Sequence, residues 1–224
     1  MASVNFYFQV HQPYRLQKYT FFDIGSDMNY FDDVKMSRHD NQEIFKKVAY
    51  KCYLPANQVI LDMLHKYPQF KCTYSLSGVF LEQAMEYMPE VVESFKRLVD
   101  TGRVELLTET YYHSLSFIYS REEFRAQVKK HQDLIKKVFN GYEPQVFRNT
   151  ELIYNNVLAL EVLNLGYKGL ITEGVDRVLG WQSPNFLYNP DFYSLDTTQS
   201  PKIKLLLKNY KLSDDIAFRF SNKA

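Results

Sequence analysis

Glu151 is the residue with the clearest setting for chemistry. It sits in the stretch Phe147-Arg148-Asn149-Thr150-Glu151-Leu152-Ile153-Tyr154-Asn155-Asn156. Pro144 opens an apolar run that ends at Val146 and Phe147, and a helical pattern begins at Asn155, so Glu151 falls on a strand-to-helix loop. Such loops host much of the chemistry of α/β proteins, because the strands hold them rigidly at one face. Other polar groups end other strands in the same way: His11, Glu105 or Glu109 with His113, and the pair Asp214-Asp215. If the strands are parallel, these groups gather on one face. Two carboxylates flanking a cleft are the minimum equipment for glycoside hydrolysis, one attacking and one donating a proton. His11 and His113 are then suited to hold sugar hydroxyls, although solvated strand-end carboxylates explain the same spacing.

The elements that must position these residues follow from local pattern. Strands are predicted at Val4–Gln9, Phe70–Leu76, Val104–Leu107, Gln145–Phe147, Gly169–Thr172 and Ile203–Leu207, each a short apolar or β-branched run bounded by turn residues. Apolar residues at helical spacing predict two consecutive helices over Asn41–Tyr67, interrupted at Pro55, and a long helix from Gly78 to Val99. Ser120 with Glu123 has the residue types of a capping box before the helix through Phe124 and Val138, which Asn140-Gly141 ends. A short helix runs from Val157 to Leu165. Strands alternating with helices predict an α/β fold with a mainly parallel sheet, open or rolled into a barrel. The chain stops at Ala224 with no helix read after the last strand, which would leave a sheet face bare. The expectation is therefore one catalytic domain over residues 1–224 that lacks its closing C-terminal helical region.

Composition limits the class of partner. The 224 residues are 46% hydrophobic and 24% charged, ordinary for a globular domain, and the formal charge is +1 with both signs scattered. No nucleic-acid or membrane partner is expected. The amino terminus carries no export signal, and a cytoplasmic protein is expected. Cys52 and Cys72 have no metal-clip spacing and are expected to be reduced and buried. No His-x-x-x-His or Asp-x-Asp cluster suggests a metal, and no cofactor is expected. Aromatic residues reach 16%, with 18 Tyr, 17 Phe and one Trp. Many, including Tyr14, Tyr112 and Trp181, lie in polar loop-like contexts, where an amphipathic ring suits the C–H faces and hydroxyls of a sugar.

The segments His11-Gln12-Pro13, Gly102-Arg103-Val104-Glu105, Phe147 through Tyr154 and Leu212 through Phe220 resemble, in order, the first four conserved regions of family 57 glycoside hydrolases, most closely the α-amylase branch. The resemblance implies a distorted, TIM-like (β/α)7 barrel and a retaining enzyme acting on α-1,4-glucans or maltooligosaccharides. It implies Glu151 as nucleophile and Asp215 as general acid/base, with His11 and Glu105 at substrate-binding positions. His113, Asp214 and Trp181 complete the expected substrate contacts. Two positions depart from the family pattern: Gln9 stands where a histidine is often found, and Ala217 where a glutamate often follows the acid/base. The same carboxylates would serve a 4-α-glucanotransferase or branching enzyme if a sugar replaced water as acceptor. Two rivals belong to other classes: a carbohydrate-binding amylase fragment without turnover, and a metal-dependent polysaccharide deacetylase, which chelators would inhibit.

Overall fold

Parallel strand pairing organises the chain. The computed structural model describes residues 3–26, 28–31, 40–191 and 203–220, so His39 and parts of the two long aromatic loops lie outside the described residues. β1 (Phe6–Val10), β2 (Cys72–Leu76) and β3 (Val104–Leu107) form one parallel sheet in that order. β4 (Val146–Arg148) and β5 (Gly169–Glu173) begin a second, which continues past β6 (Leu187–Tyr188) in the chain to β7 (Lys204–Lys208). In space the order is β4-β5-β7-β6, with β6 antiparallel on the edge. A parallel bridge from Thr108 to Phe147 joins the two sheets through β3 and β4. The α/β class and the parallel order expected from sequence are therefore present. Among the described residues no ladder closes β1 onto β6 or β7, so the strands stop short of a closed barrel.

The helices depart from the sequence expectation where proline acts. α1 (Asn41–Val48) passes through a π-helical segment, Ala49–Tyr53, directly into α2 (Leu54–Lys66). Pro55 thus interrupts nothing, because it sits in the first turn of α2, where its missing N–H costs least, and the wider π-turn precedes it. Cys52, on that segment, is exposed, contrary to expectation; Cys72 in β2 is buried. The predicted long helix is two: α3 (Gly78–Tyr87) and α4 (Pro89–Asp100), split at Met88, which is extended at φ −153° ahead of Pro89.

α5 (Ser116–Tyr119) leads to α6 (Arg121–Val138), where the Ser120 hydroxyl accepts from Glu123 N–H at 3.2 Å. Asn155 caps α7 (Asn156–Asn164) in the same way at 2.8 Å. α8 (Asp176–Leu179) follows β5, and α9 (Tyr210–Asp214) follows β7 and runs into a π-helical turn, Asp215–Arg219. The last strand therefore does have a helix after it. Among the described residues no helix is long and apolar enough to cross a membrane.

The sheet has two unlike faces. Alternate residues Cys72, Tyr74 and Leu76 pack with Phe45, Phe80, Phe95 and Leu98 on the outer side. Phe147, Leu170 and Leu205 do the same with Phe124, Leu158 and Val162. On the inner face Tyr7, Leu107, Val146, Ile171 and Leu206 form an apolar layer across both sheets. Two residues further along each strand, towards its carboxyl end, that face turns polar: Gln9, Ser75, Glu109 and Arg148.

Candidate active site

The polar inner layer is knitted by a buried pair of charges. Glu109 and Arg148 are almost wholly buried, and Arg148 Nη1 stands 3.5 Å from Glu109 Oε2. Ser75 Oγ–H donates to Glu109 Oε1 at 2.5 Å, and Arg148 Nη2 donates to Gln9 Oε1 at 2.7 Å. Neither charge would tolerate burial without such partners. Burial alone would raise the Glu109 carboxyl. The hydrogen bond from His113, the electrostatic interactions with His131 and Arg148 and the Ser75 hydroxyl outweigh it and hold the carboxyl below the usual carboxylate range.

His113 links this layer to Glu151. Its Nδ1 is 2.8 Å from Glu109 Oε2 and its Nε2 is 3.3 Å from Glu151 Oε1. Both residues have left-handed backbone, φ 54° at His113 and 54° at Glu151, with Leu152 also at 54°. Side chains with a Cβ adopt that region at a cost of about 1–2 kcal/mol each, and such strain collects at functional sites. The Glu151 side chain is 68% exposed, so solvent and ligands reach it.

His11 lies on the other side of His113, their rings stacked at 4.3 Å and 24°. Its Nδ1 is 2.7 Å from Ser77 Oγ, which also caps α3. Burial, then the charge of His113, lowers the His11 pKa to about 4, so the ring is neutral at neutral pH. A cleft of about 420 Å³ opens beside it, lined by Pro13, Tyr14, Phe31, Val79, Glu82 and Tyr112. Half of these residues, Tyr14, Phe31 and Tyr112, are aromatic, and its size suits a small sugar.

The structure thus brings His11, His113 and Glu151 together. Glu105 shares the inner face but is the second residue of β3, below the apolar layer, opposite Thr73 of β2. Burial raises its carboxyl above the usual range. Glu109, two strand periods nearer the rim, occupies the position in the cluster. Asp214 and Asp215 follow the carboxyl end of β7, which lies two strands from β4, roughly 10 Å across the sheet. Asp215 Oδ1 accepts from Arg219 Nε at 2.6 Å. Trp181 is 93% exposed and lines a second cleft of about 260 Å³ with Gln182, Ser183, Phe186 and Tyr188, none of which line the cleft at His11. Among the described residues no group of three or more His, Cys, Asp or Glu is arranged to hold a metal ion. Sequence reading missed Gln9, Ser75 and Arg148 as site residues. Strand alternation from Tyr7 and Thr73 would have found the first two.

A family model of Glycosyl hydrolase family 57 matches residues 5–224. The chain belongs to that family. A relative from Methanocaldococcus jannaschii, provisionally named an α-amylase, is 46% identical over 220 residues, 97% of this chain and 44% of its own length. An α-amylase of Pyrococcus horikoshii is 26% identical over 137 residues, 60% of this chain and 21% of the relative. Among solved structures, the 4-α-glucanotransferase of Thermococcus litoralis matches with a TM-score of 0.66 at 19% identity, covering 96% of this chain and 29% of that one. A branching enzyme of the family from P. horikoshii matches with a TM-score of 0.66 at 14% identity, covering 97% and 48%. The chain therefore spans less than half the length of each of these relatives.

Proposed function

We propose that this chain is the nucleophile-bearing part of an α-glucan-active enzyme, α-amylase-like, working by retaining double displacement. The observation that carries the reading is Glu151, strained at the mouth of β4, open to solvent and held by His113, whose ring stacks on His11 at the cleft. The names of the relatives, α-amylase among them, supply the substrate class. In this reading the carboxylate of Glu151 attacks the anomeric carbon as the glycosidic oxygen leaves with a proton, and water then releases the sugar from the ester with return of the configuration. The wider architecture is that of a (β/α)7 barrel.

Support for the two carboxylates is unequal. Asp215 is the general acid/base that the sequence resemblance favours, with Asp214 beside it at the substrate. In that role its carboxyl would stand about 5 to 5.5 Å from Glu151. Its hydrogen bond to Arg219 must also open, because a guanidinium favours the ionised form over the acid. His11, Glu105, His113 and Trp181 are proposed as substrate contacts, His11 as a neutral donor or acceptor to a hydroxyl. A 4-α-glucanotransferase or branching activity uses the same steps with a sugar hydroxyl in place of water; relatives so named favour keeping that second reading.

The test is turnover of a chromogenic maltooligosaccharide by the full polypeptide. Glu151→Gln is expected to abolish it, and Asp215→Asn to lower it by about 10²–10⁴-fold with recovery when azide replaces water. Unchanged activity in Glu151→Gln overturns the nucleophile. Unchanged activity in Asp215→Asn removes Asp215 from the mechanism and leaves Glu151 standing. Product size with and without added glucose acceptor separates hydrolysis from transfer.

A further inference from the structure

We propose that Glu109, Arg148 and Gln9 fix the tautomer of His113 so that its Nε2 meets Glu151 as a bare lone pair, and that the two side chains share one proton. His113 Nδ1 and Glu109 Oε2 are 2.8 Å apart. Two bare acceptors do not sit at that distance, so a proton lies between them. Glu109 is held ionised by its partners, so the proton belongs to Nδ1. Arg148 Nη1 is 3.3 Å from the same nitrogen and 3.5 Å from the Glu109 oxygen. A guanidinium only donates, and Nδ1–H offers it no acceptor, so it serves the carboxylate.

Gln9 sets the far nitrogen. Arg148 Nη2 donates to Gln9 Oε1 at 2.7 Å, which fixes which way the amide turns. The Gln9 Nε2 donor then faces His113 Nε2 at 3.3 Å, and a donor there calls for a lone pair. Glu151 Oε1 reaches the same nitrogen at 3.3 Å. With both protons absent from that contact, a carboxylate faces a lone pair and the two repel. One proton relieves the repulsion, carried on Glu151 and donated to the Nε2 lone pair. Loss of this proton to solvent, which the exposed Glu151 allows, frees the carboxylate. The groups that face the pair are His11, stacked on His113 from the β1 loop, Gln9 on β1, Glu109 from β3, and Arg148 on β4. Behind Glu109 stand Ser75 of β2 and the buried His131 of α6. The position at which Gln9 departs from the family pattern thus becomes the one that decides the protonation of His113.

The consequence for attack rests on Glu151 being the nucleophile; the tautomer does not. Nitrogen NMR of the chain labelled with ¹⁵N-histidine reads the tautomer directly. His113 is expected to carry its proton on Nδ1 and none on Nε2 once the shared proton is lost. Gln9→Glu replaces the donor at Nε2 by an acceptor and is expected to bring a proton onto Nε2. In Glu109→Gln the Nε2–H form is expected to appear. An Nε2–H tautomer in the unaltered chain, or an Nε2 still without a proton in Gln9→Glu, overturns the proposal. Labelling of Glu151 by a fluorinated α-glucosyl fluoride, followed by mass spectrometry, reads the other half. The rate of labelling is expected to change in Gln9→Glu, because the contact at Nε2 changes with it. An absence of labelling in the unaltered full polypeptide rejects the nucleophile reading, while the NMR result still judges the tautomer.

Discussion

Arg148 is the residue on which the polar layer depends. It is 2% exposed, and its charge balances Glu109, which has no contact with water of its own. Removing one member of a buried ion pair leaves the other uncompensated, at a cost of about 3–5 kcal/mol. Arg148→Met is therefore expected to lose stability on that scale in denaturant unfolding. The double variant Arg148→Met/Glu109→Gln is expected to recover a large share of it, since both charges are then gone. A double variant no more stable than the single one would show that Arg148 acts by packing and not by charge. The same pair explains why the neighbouring carboxylates differ. Glu109 is buried and ionised because hydrogen bonds outweigh desolvation, whereas Glu151 is exposed and free to meet a ligand.

The wall of the cleft is built by α3 against the loop after β3. Gly78 opens α3 against the Tyr111 ring, and a Cβ there would meet Tyr111 Cγ at 2.5 Å. The ring cannot retreat easily. Its hydroxyl donates to Glu82 at 2.6 Å, and Lys130 of α6 lies over it, 3.8 Å from its centroid. Lys130 also bonds the Tyr112 hydroxyl at 2.5 Å, and Tyr112 lines the cleft. Gly78→Ala is thus an overpacking change expected to cost about 1–3 kcal/mol. It should also disturb binding at the cleft, because Glu82 and Tyr112 move with Tyr111. Thermal unfolding with a maltooligosaccharide titration checks both, and an Ala variant as stable as the parent chain would reject the contact.

Taken as a whole, the molecule keeps two neutral histidines beneath and beside its polar rim. Burial lowers His131, whose Nε2–H donates to Leu76 O at 2.7 Å, and burial with the charge of His113 lowers His11 to about 4. Both folded values lie below the ordinary one, so as the pH falls the unfolded chain takes up protons first. Their contribution to stability is complete above about pH 6.5, the unfolded value. It is lost progressively as the pH falls below that, for His11 towards 4. The melting temperature is expected to drop between pH 7 and 5, before most carboxylates titrate, and His11→Asn is expected to flatten part of that slope. A melting temperature constant over this interval rejects the assignment.

What lay open in the sequence was whatever neighbours along the chain decide. The alternation and apolar runs gave six parallel strands close to their observed bounds. Ser120 announced its helix through capping chemistry, a helical pattern opened at Asn155, and the strand-to-loop transitions put His11, His113 and Glu151 at one end of the sheet. The split at Pro89 could have been read from the same rules, whereas the harmless Pro55 depended on a π-turn no local pattern marks. Tertiary structure alone decided the pairings. Gln9 meets Arg148 across 139 residues, and Ser75 meets Glu109 across 34. It also favoured Glu109 over Glu105 at the rim. Side-chain direction is a local property with a period of two, but which charges end up face to face depends on how whole strands stack, and that register is set by the packing of distant segments.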